Sequence, residues 1–502
     1  MTLLIKNVRI VGGDKDYGER ADIFVHGKMI SAIGKFPEKK ADVIIDGQGM
    51  YCAPGFIDVD TTSDHYLSLF DDRLQGDFLK QGVTTIIGGH CGSSLAPLLY
   101  GGLEAIRKWA DPDLINVDWH SVEEFFGVLN KRSLGVNFGM FAGHTTIRRA
   151  MIGETLRELT VRELAVLQSI VERAIREGAF GFSSGLEDVH TRGVPYKELK
   201  MMAEMVHKEG GIYATHLRSN DFEMVKAMEE TVRLVRETNI PTLVTHFVPI
   251  LGREEEYKRA LAMLDALPDS VPLYFSAYPF DMEIAPLYKL LPAWMRQHNM
   301  AEMVKSLSTD WLKDRILKEL PPLADDDLIV AHAHDNPNLM GKSLKDLMAL
   351  YETKSKHEAL FTFMQSTKLR AVVYYRAVNA ELAREALTHS RAMLGSHAAS
   401  FEGKTARMAK SLRRSGMFTA FLEAADNGSL PLAQAIEKIT HGPAQFLRIP
   451  RRGMIKEGNY ADLVLFKDKE FAMKHVVVNG TPVVRDGELV EAYPGKIVHR
   501  HK

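Results

Sequence analysis

The sequence predicts an α/β fold, a (β/α)8 TIM-like barrel joined to a small β-module built from both chain ends. Three observations carry that expectation. Both ends read as short strands with tight turns, and the centre alternates apolar runs with amphipathic helices. About eight such runs occur, which suits a closed barrel better than an open sheet.

The N-terminal part, residues 1–53, opens with TLLIKNVRIV, which alternates apolar and polar side chains. ADIFVHGKMISAIG and ADVIIDGQGMYCAPG follow, with His26-Gly27 and Asp46-Gly47 at turn positions. The C-terminal part, residues 451–502, has the same texture. Its runs ADLVLFKDK and HVVVNGTPVVRDGELV are punctuated by Asn479-Gly480 and Asp486-Gly487, both strong hairpin signals. The ends are best explained as two parts of one module flanking a central domain over 54–450.

GFIDVDTT (55–62) is the first central strand, and IIGGH after Gly82-Val83 the second. VNFGMFAGH (136–144), AFGFSSGL (179–186), GIYATHLR (211–218), PTLVTHFV (241–248) and VPLYFSAYPF (271–280) follow, and RAMLGSHAAS (391–400) is a late strand. Helices lie between them. Thr160 and Glu163 form a capping box, Val161, Leu164, Leu167, Val171 and Ile175 make a helical stripe, and Gly178 closes it. Asn220–Glu223 opens another helix with Val225, Met228, Val232 and Val235 on one face. This alternation demands a parallel sheet. Residues 282–330 break the rhythm and read as a mostly helical insertion suited to a lid.

Composition narrows the function. The chain has 502 residues, with 63 Lys+Arg against 65 Asp+Glu, a formal net charge of −2. That balance argues against a nucleic-acid or polybasic membrane binder. Two cysteines cannot staple so long a chain, so a reducing cytoplasm is expected. No apolar run is long enough to cross a bilayer, and MTLLIKNVRIVGG alternates like a strand rather than resembling a signal peptide.

In a barrel, functional side chains come from the C-terminal ends of strands. The second strand ends in His90-Cys91-Gly92, the fifth in Thr215-His216, the sixth in Thr245-His246 and the eighth in Ser396-His397. The first supplies Asp58 and Asp60, with Asp64 and His65 just beyond. A thiolate and two imidazoles converging on one cavity can bind Zn²⁺ and leave a fourth position for water. Such water becomes a nucleophile towards an amide carbonyl. Taken singly, each residue also fits a structural place, as a hydrogen-bonding histidine or a small buried thiol.

The motifs in order are APGFID (53–58), QGVTT (81–85), GHCG (89–92), Gly143-His144, GFSSGL (181–186), THLR (215–218), AYPF (277–280) and RGMIKEGNYADLVLF (452–466). With them the chain resembles the D-aminoacylase (N-acyl-D-amino-acid deacylase) branch of the amidohydrolase superfamily over nearly its whole length. The resemblance implies a barrel with a small β-sandwich and one tightly held Zn²⁺ on Cys91, His216 and His246. It implies hydrolysis of a linear amide, with a small N-acyl amino acid or related amide as substrate. Dihydroorotases and hydantoinases carry a carboxylated lysine after the fourth strand; AFGFSSGL has none, which disfavours a binuclear cyclic amidase.

The departures from that branch are specific. Its first strand normally carries His-x-His, and here the positions are Asp60 and Thr62. Its late strand normally ends in Gly-Ser-Asp, the acid being the general base and a metal contact, and here the triplet ends in His397. A basic residue two positions beyond the sixth-strand histidine is replaced by Val248. The tight site is therefore whole and the second one degenerate, with His397 expected to move protons and Asp60 to assist. The alternative is a catalytically impaired or repurposed homologue that binds a small acyl compound.

For substrate binding, Arg407 in Thr-Ala-Arg matches the branch's carboxylate-binding arginine, and Tyr278 is a candidate contact. Arg407 equally fits a solvated charge in a basic stretch with Lys404, Lys410, Arg413 and Arg414. Arg218 is a further candidate, equally suited to orienting a carboxylate within the protein. His332 and His334 in AHAHD read as surface or structural histidines.

Overall fold

The chain ends do meet in one sheet. The structure, a computed structural model, describes residues 1–99, 103–107, 109–111, 113, 115–401 and 408–501. Strand Thr2–Ile10 pairs antiparallel with Ala21–His26 and parallel with both Val43–Asp46 and Tyr51–Pro54. Tyr51–Pro54 then pairs antiparallel with Leu463–Phe466, a strand from the other end of the sequence. The result is a nine-stranded sheet. At both C-terminal hairpins the two turn residues adopt positive φ, 47° and 76° at Asn479-Gly480 and 54° and 87° at Asp486-Gly487. These backbone signs match the right-handed twist of the strands they join.

The centre is a closed parallel barrel. Its strands are β1 (Phe56–Asp58), β2 (Val83–Gly88), β3 (Asn137–Met140, continued by Ala142–Gly143), β4 (Gly181–Gly185), β5 (Ile212–His216), β6 (Thr242–Val244), β7 (Leu273–Ala277) and β8 (Ala392–Leu394). Each pairs in parallel with the next. The Val59 amide just past β1 donates to the Leu394 carbonyl of β8 at 3.4 Å and closes the ring. Ile57, Ile87, Phe141, Ile212, Leu243 and Met393 pack together as its interior, so the barrel is filled and its open end lies at the strand C-termini.

The helix Val161–Arg176 (α1) has the expected capping box at Thr160 and Glu163 and buries Leu164, Leu167, Val171 and Ile175. Val161, expected on that stripe, is 83% exposed; it is the first helical residue and projects before the helix reaches the sheet. The next outer helix, Met224–Thr238 (α2), begins after Glu223 without a side-chain cap. Met224 rather than Val225 supplies its first fully buried contact, and Asn220 turns towards the barrel mouth.

The insertion differs most from expectation. It runs from Met282 to Arg376 and contains an antiparallel sheet in which Ala371–Arg376 lies between Met282–Pro286 and Leu328–Ala333. Four helices, Met300–Leu307, Asp310–Glu319, Leu344–Leu350 and Lys356–Ser366, cover it. Leu290, Ile316, Leu328, Leu347 and Phe363 form a core of its own. The mostly helical reading over 282–330 missed these strands because they pair with Ala371–Arg376 across about forty to ninety residues, separations no local pattern reports.

The two hairpin glycines give a direct test. A Cβ on Gly480 would stand 2.1 Å from the Gly27 carbonyl oxygen, whereas one on Gly487 would meet nothing within 4 Å. Gly487→Ala is expected to cost about 1 kcal/mol from its left-handed backbone alone. Gly480→Ala is expected to cost distinctly more, because a main-chain oxygen must also move. Thermal denaturation of the two variants side by side checks the difference.

Candidate active site and metal centre

Three side chains meet at the barrel mouth. Cys91 follows β2, His246 follows β6 and His397 follows β8, and their ligand atoms lie within 4.8 Å of one another. Cys91 Sγ is 3.3 Å from His246 Nε2, and the rings of His246 and His397 are 4.2 Å apart. All three have left-handed backbones, with φ of 51°, 37° and 44°. Such conformations cost energy for residues with a Cβ and concentrate where a side chain must be aimed. His216, the last residue of β5, stands alongside, its ring 4.3 Å from that of His246.

Asp60 organises this cluster from below. Its carboxylate is fully buried, with Oδ1 3.1 Å from His397 Nδ1 and Oδ2 accepting from Ser276 Oγ at 3.1 Å. The same Ser276 hydroxyl oxygen accepts the His246 amide at 2.8 Å, and the His397 amide donates to the Asp60 carbonyl at 2.6 Å. One carboxylate thereby ties β1, β6, β7 and β8 together. Arg413 completes the support. It donates to the Ser396 and His397 carbonyls and stacks at 3.8 Å over the Tyr278 ring.

Burial opposes charge on Asp60, but the imidazoles of His397, His90 and His246 outweigh it and hold the carboxyl well below its usual range. Burial pushes His397 down to about 4 against the pull of Asp60. It also drives His246 well below the ordinary histidine range, with His397 and His216 adding to the effect. At neutral pH the His246 and His397 rings are therefore neutral and Asp60 is ionised, the protonation a metal ion requires of such a set. A thiol with neutral imidazoles is the donor chemistry Zn²⁺ favours, so the residues fit a metal of that class.

A second imidazole–carboxylate pair flanks the first. Glu187, two residues past β4, places Oε2 3.0 Å from His216 Nε2, and the Asn220 amide nitrogen is also 3.0 Å from that ring nitrogen. Lys289, on the short turn Leu287–Leu290 of the insertion, reaches the same Glu187 oxygen at 2.8 Å. Burial would raise the Glu187 carboxyl, but Lys289 and His216 hold it well below its usual value. Sequence reasoning missed Glu187, Asn220 and Lys289. Glu187 directly follows the GFSSGL run, the one local signal available. Lys289 had none, because the insertion brings it to the mouth.

The remaining polar residues near β1 and β2 shape loops. Asp64 accepts the Gly89 amide at 2.7 Å; His65 donates to the Ser93 carbonyl at 3.0 Å and stacks on Trp109 at 4.3 Å. Both therefore hold the loop that carries Cys91. Asp58 accepts amides from Asp60 and Ser396 on Oδ1 while its Oδ2 has no partner, and burial pushes its carboxyl up to about 7.

The other sequence candidates fall as follows. Arg407 and Lys404 lie outside the described residues. Tyr278 is buried beneath Arg413. Arg413 and Arg414 are themselves buried, the latter 2.9 Å from Asp77, so this part of the basic stretch is not a solvated face. Arg218 is held bidentately by Glu230, both contacts 3.0 Å, in keeping with its internal alternative. His334 faces Asp111 at 3.4 Å. A cavity of about 200 Å³ lies between the barrel mouth and the insertion, lined in part by Thr145, Asp188, Tyr288, Met300 and Met303. Asp188 and Tyr288 are the chain neighbours of Glu187 and Lys289, which places this space beside the site.

Comparison with known proteins agrees with this architecture. Residues 324–483 match the Amidohydrolase family. The chain is 27% identical to a D-aminoacylase of Alcaligenes xylosoxydans xylosoxydans, covering 99% of this chain and 97% of that one. It is 26% identical to an N-acyl-D-aspartate deacylase of the same organism, over 92% and 85% of the respective lengths. A solved D-aminoacylase, described with a binuclear metal centre subject to one-metal activation and second-metal attenuation, superposes with a TM-score of 0.79. It is 25% identical and covers 99% of both chains.

Asp58 supplies a pH test. Its carboxyl titrates near 7 when folded and near 3.8 when exposed. The folded state thus holds the proton more tightly, and stability from this group is full below the unfolded value and lost as pH rises through about 7. Wild-type protein is expected to lose about 2–3 kcal/mol between pH 5 and 8 from this source. In Asp58→Asn, which stays neutral throughout and keeps an acceptor oxygen, that loss should disappear. Denaturant titrations of both proteins across this pH range measure it.

Proposed function

We propose that this chain, a homologue of the D-aminoacylases within the amidohydrolase superfamily, is a metal-dependent hydrolase of a linear amide, most like an N-acyl-D-amino-acid deacylase. The observation that carries the reading is the buried thiol–imidazole cluster of Cys91, His246 and His397 at the barrel mouth, in a chain similar to deacylases along nearly its full length. Zn²⁺ suits this donor set best. The reading places the protein in a reducing cytoplasm, in keeping with Cys52 and Cys91 being buried and not joined in a disulfide.

A metal bound at this cluster supplies polarisation of the amide carbonyl and activation of water. The protein's own groups do the rest. Cys91 and His246 form the heart of the ligand set, supported from behind by the Ser276 hydroxyl and the Asp64-pinned loop. The two flanking pairs, His397–Asp60 and His216–Glu187, divide between them a further ligand and the imidazole that carries the proton from water to the leaving amine. The cavity beside Glu187 and Lys289 has apolar walls, from Tyr288, Met300 and Met303, that suit the acyl portion of the substrate. Arg407, from its sequence context, is assigned to the substrate carboxylate.

Cys91→Ser and His246→Asn are each expected to lower kcat/KM for N-acyl-D-amino acids by about 10³-fold or more, with parallel loss of bound metal. A panel of N-acyl-D- and N-acyl-L-amino acids, assayed with metal analysis on the same preparations, tests the reading. Stoichiometric metal without turnover above background on any member would instead favour the impaired or repurposed homologue.

A further inference from the structure

We infer that the third protein ligand of the metal centre in this chain is His397, backed by Asp60, and that His216 stands outside the centre as the proton-carrying imidazole. The inference rests on the metal-dependent reading above and goes beyond it by assigning separate roles to two histidines that both border the cluster.

Geometry separates the two. His397 lies with Cys91 and His246 inside one 4.8 Å group of ligand atoms. Its Nδ1 is occupied by Asp60 at 3.1 Å, which leaves Nε2 as the ring nitrogen available to a metal. A carboxylate behind a metal-binding imidazole is the usual device for setting its tautomer and orientation. Here that carboxylate is itself fixed by Ser276, and Arg413 clamps the His397 and Ser396 carbonyls. The aim of the ring is thus over-determined. His397 also shares the left-handed backbone of the other two members.

His216 is differently placed. It belongs to regular strand β5, and its Nε2 is already engaged by Glu187 at 3.0 Å, with Lys289 fixing Glu187 from the insertion. An imidazole oriented by a part-buried carboxylate beside a metal centre is equipped to accept and return a proton. The exchange follows from the substitutions on β1 and β8. Strands β1 and β8 lie side by side where the barrel closes, so the acid at 60 and the imidazole at 397 satisfy each other along that seam, and His397 would hold the metal from β8.

The test uses full-length protein titrated with Co²⁺ and with Zn²⁺ in competition with a chromophoric chelator. Wild-type protein should bind one ion, with a thiolate-to-cobalt absorption from Cys91. His397→Ala should weaken binding by at least about 100-fold, more than loss of an outer partner, and Asp60→Asn by about 10- to 100-fold. His216→Ala should bind metal as the wild type does while losing turnover. Circular dichroism establishes that each variant is folded. Should His397→Ala fail to fold, His397→Asp, which keeps a ligand atom, should bind more weakly than wild type and Asp60→Asn should still show its defect. Wild-type affinity in His397→Ala or in Asp60→Asn, or loss of metal in His216→Ala, overturns the assignment. Absence of amidase activity in wild-type protein whose variants show the expected metal pattern would overturn the deacylase reading alone.

Discussion

The buried Asp60 carboxylate is the interaction on which the site depends. It has no exposure to water, so it remains charged only because the His397 ring, the Ser276 hydroxyl and the neighbouring imidazoles surround it. Its two oxygens reach His397 on one side and Ser276 on the other, and through Ser276 it fixes the backbone of His246. Four of the eight barrel strands are thereby referred to a single carboxylate. Removing one partner would leave an uncompensated charge in the interior, so the members of this network hold one another in place.

The insertion is joined to that network through charge as well as through shared core. Part of its apolar set packs among itself, and Ala331, Val372 and Tyr374 pack into the core of the barrel, while Lys289 extends to Glu187 and so reaches the ring of His216. A segment with its own core, tethered to the site by a part-buried ion pair, couples its position to the orientation of the His216 imidazole. The cavity at the same boundary is lined by Asp188 and Tyr288, the chain neighbours of the two tether residues.

Much of the fold was legible from local chemistry. Asn479-Gly480 and Asp486-Gly487 specify positive φ, the Thr160–Glu163 box starts α1, and alternating strands and helices impose a parallel sheet. The site was legible to the extent that strand ends report it: Cys91, His216, His246 and His397 all sit at the barrel mouth. What escaped depends on distance along the chain. Glu187 and Lys289 meet across 102 residues and Asp60 and His397 across 337, and no window of sequence contains either pair. The buried state of Arg413 and Arg414 escaped for the same reason, since their partners are Ser396, His397 and Asp77 rather than neighbouring residues.

By itself, then, the sequence determined the element order of the barrel and of the end module, the hairpin turns, and the thiol and imidazoles available for metal chemistry, because each follows from propensities and motifs within a few residues. Only the tertiary structure decided how those residues are divided. It paired Asp60 with His397 and Glu187 with His216, gave Cys91, His246 and His397 their common aim, and built a sheet into the insertion. The physical reason is that the tuning of a buried charge depends on what surrounds it in space, and in a closed barrel those surroundings come from strands far apart in the chain.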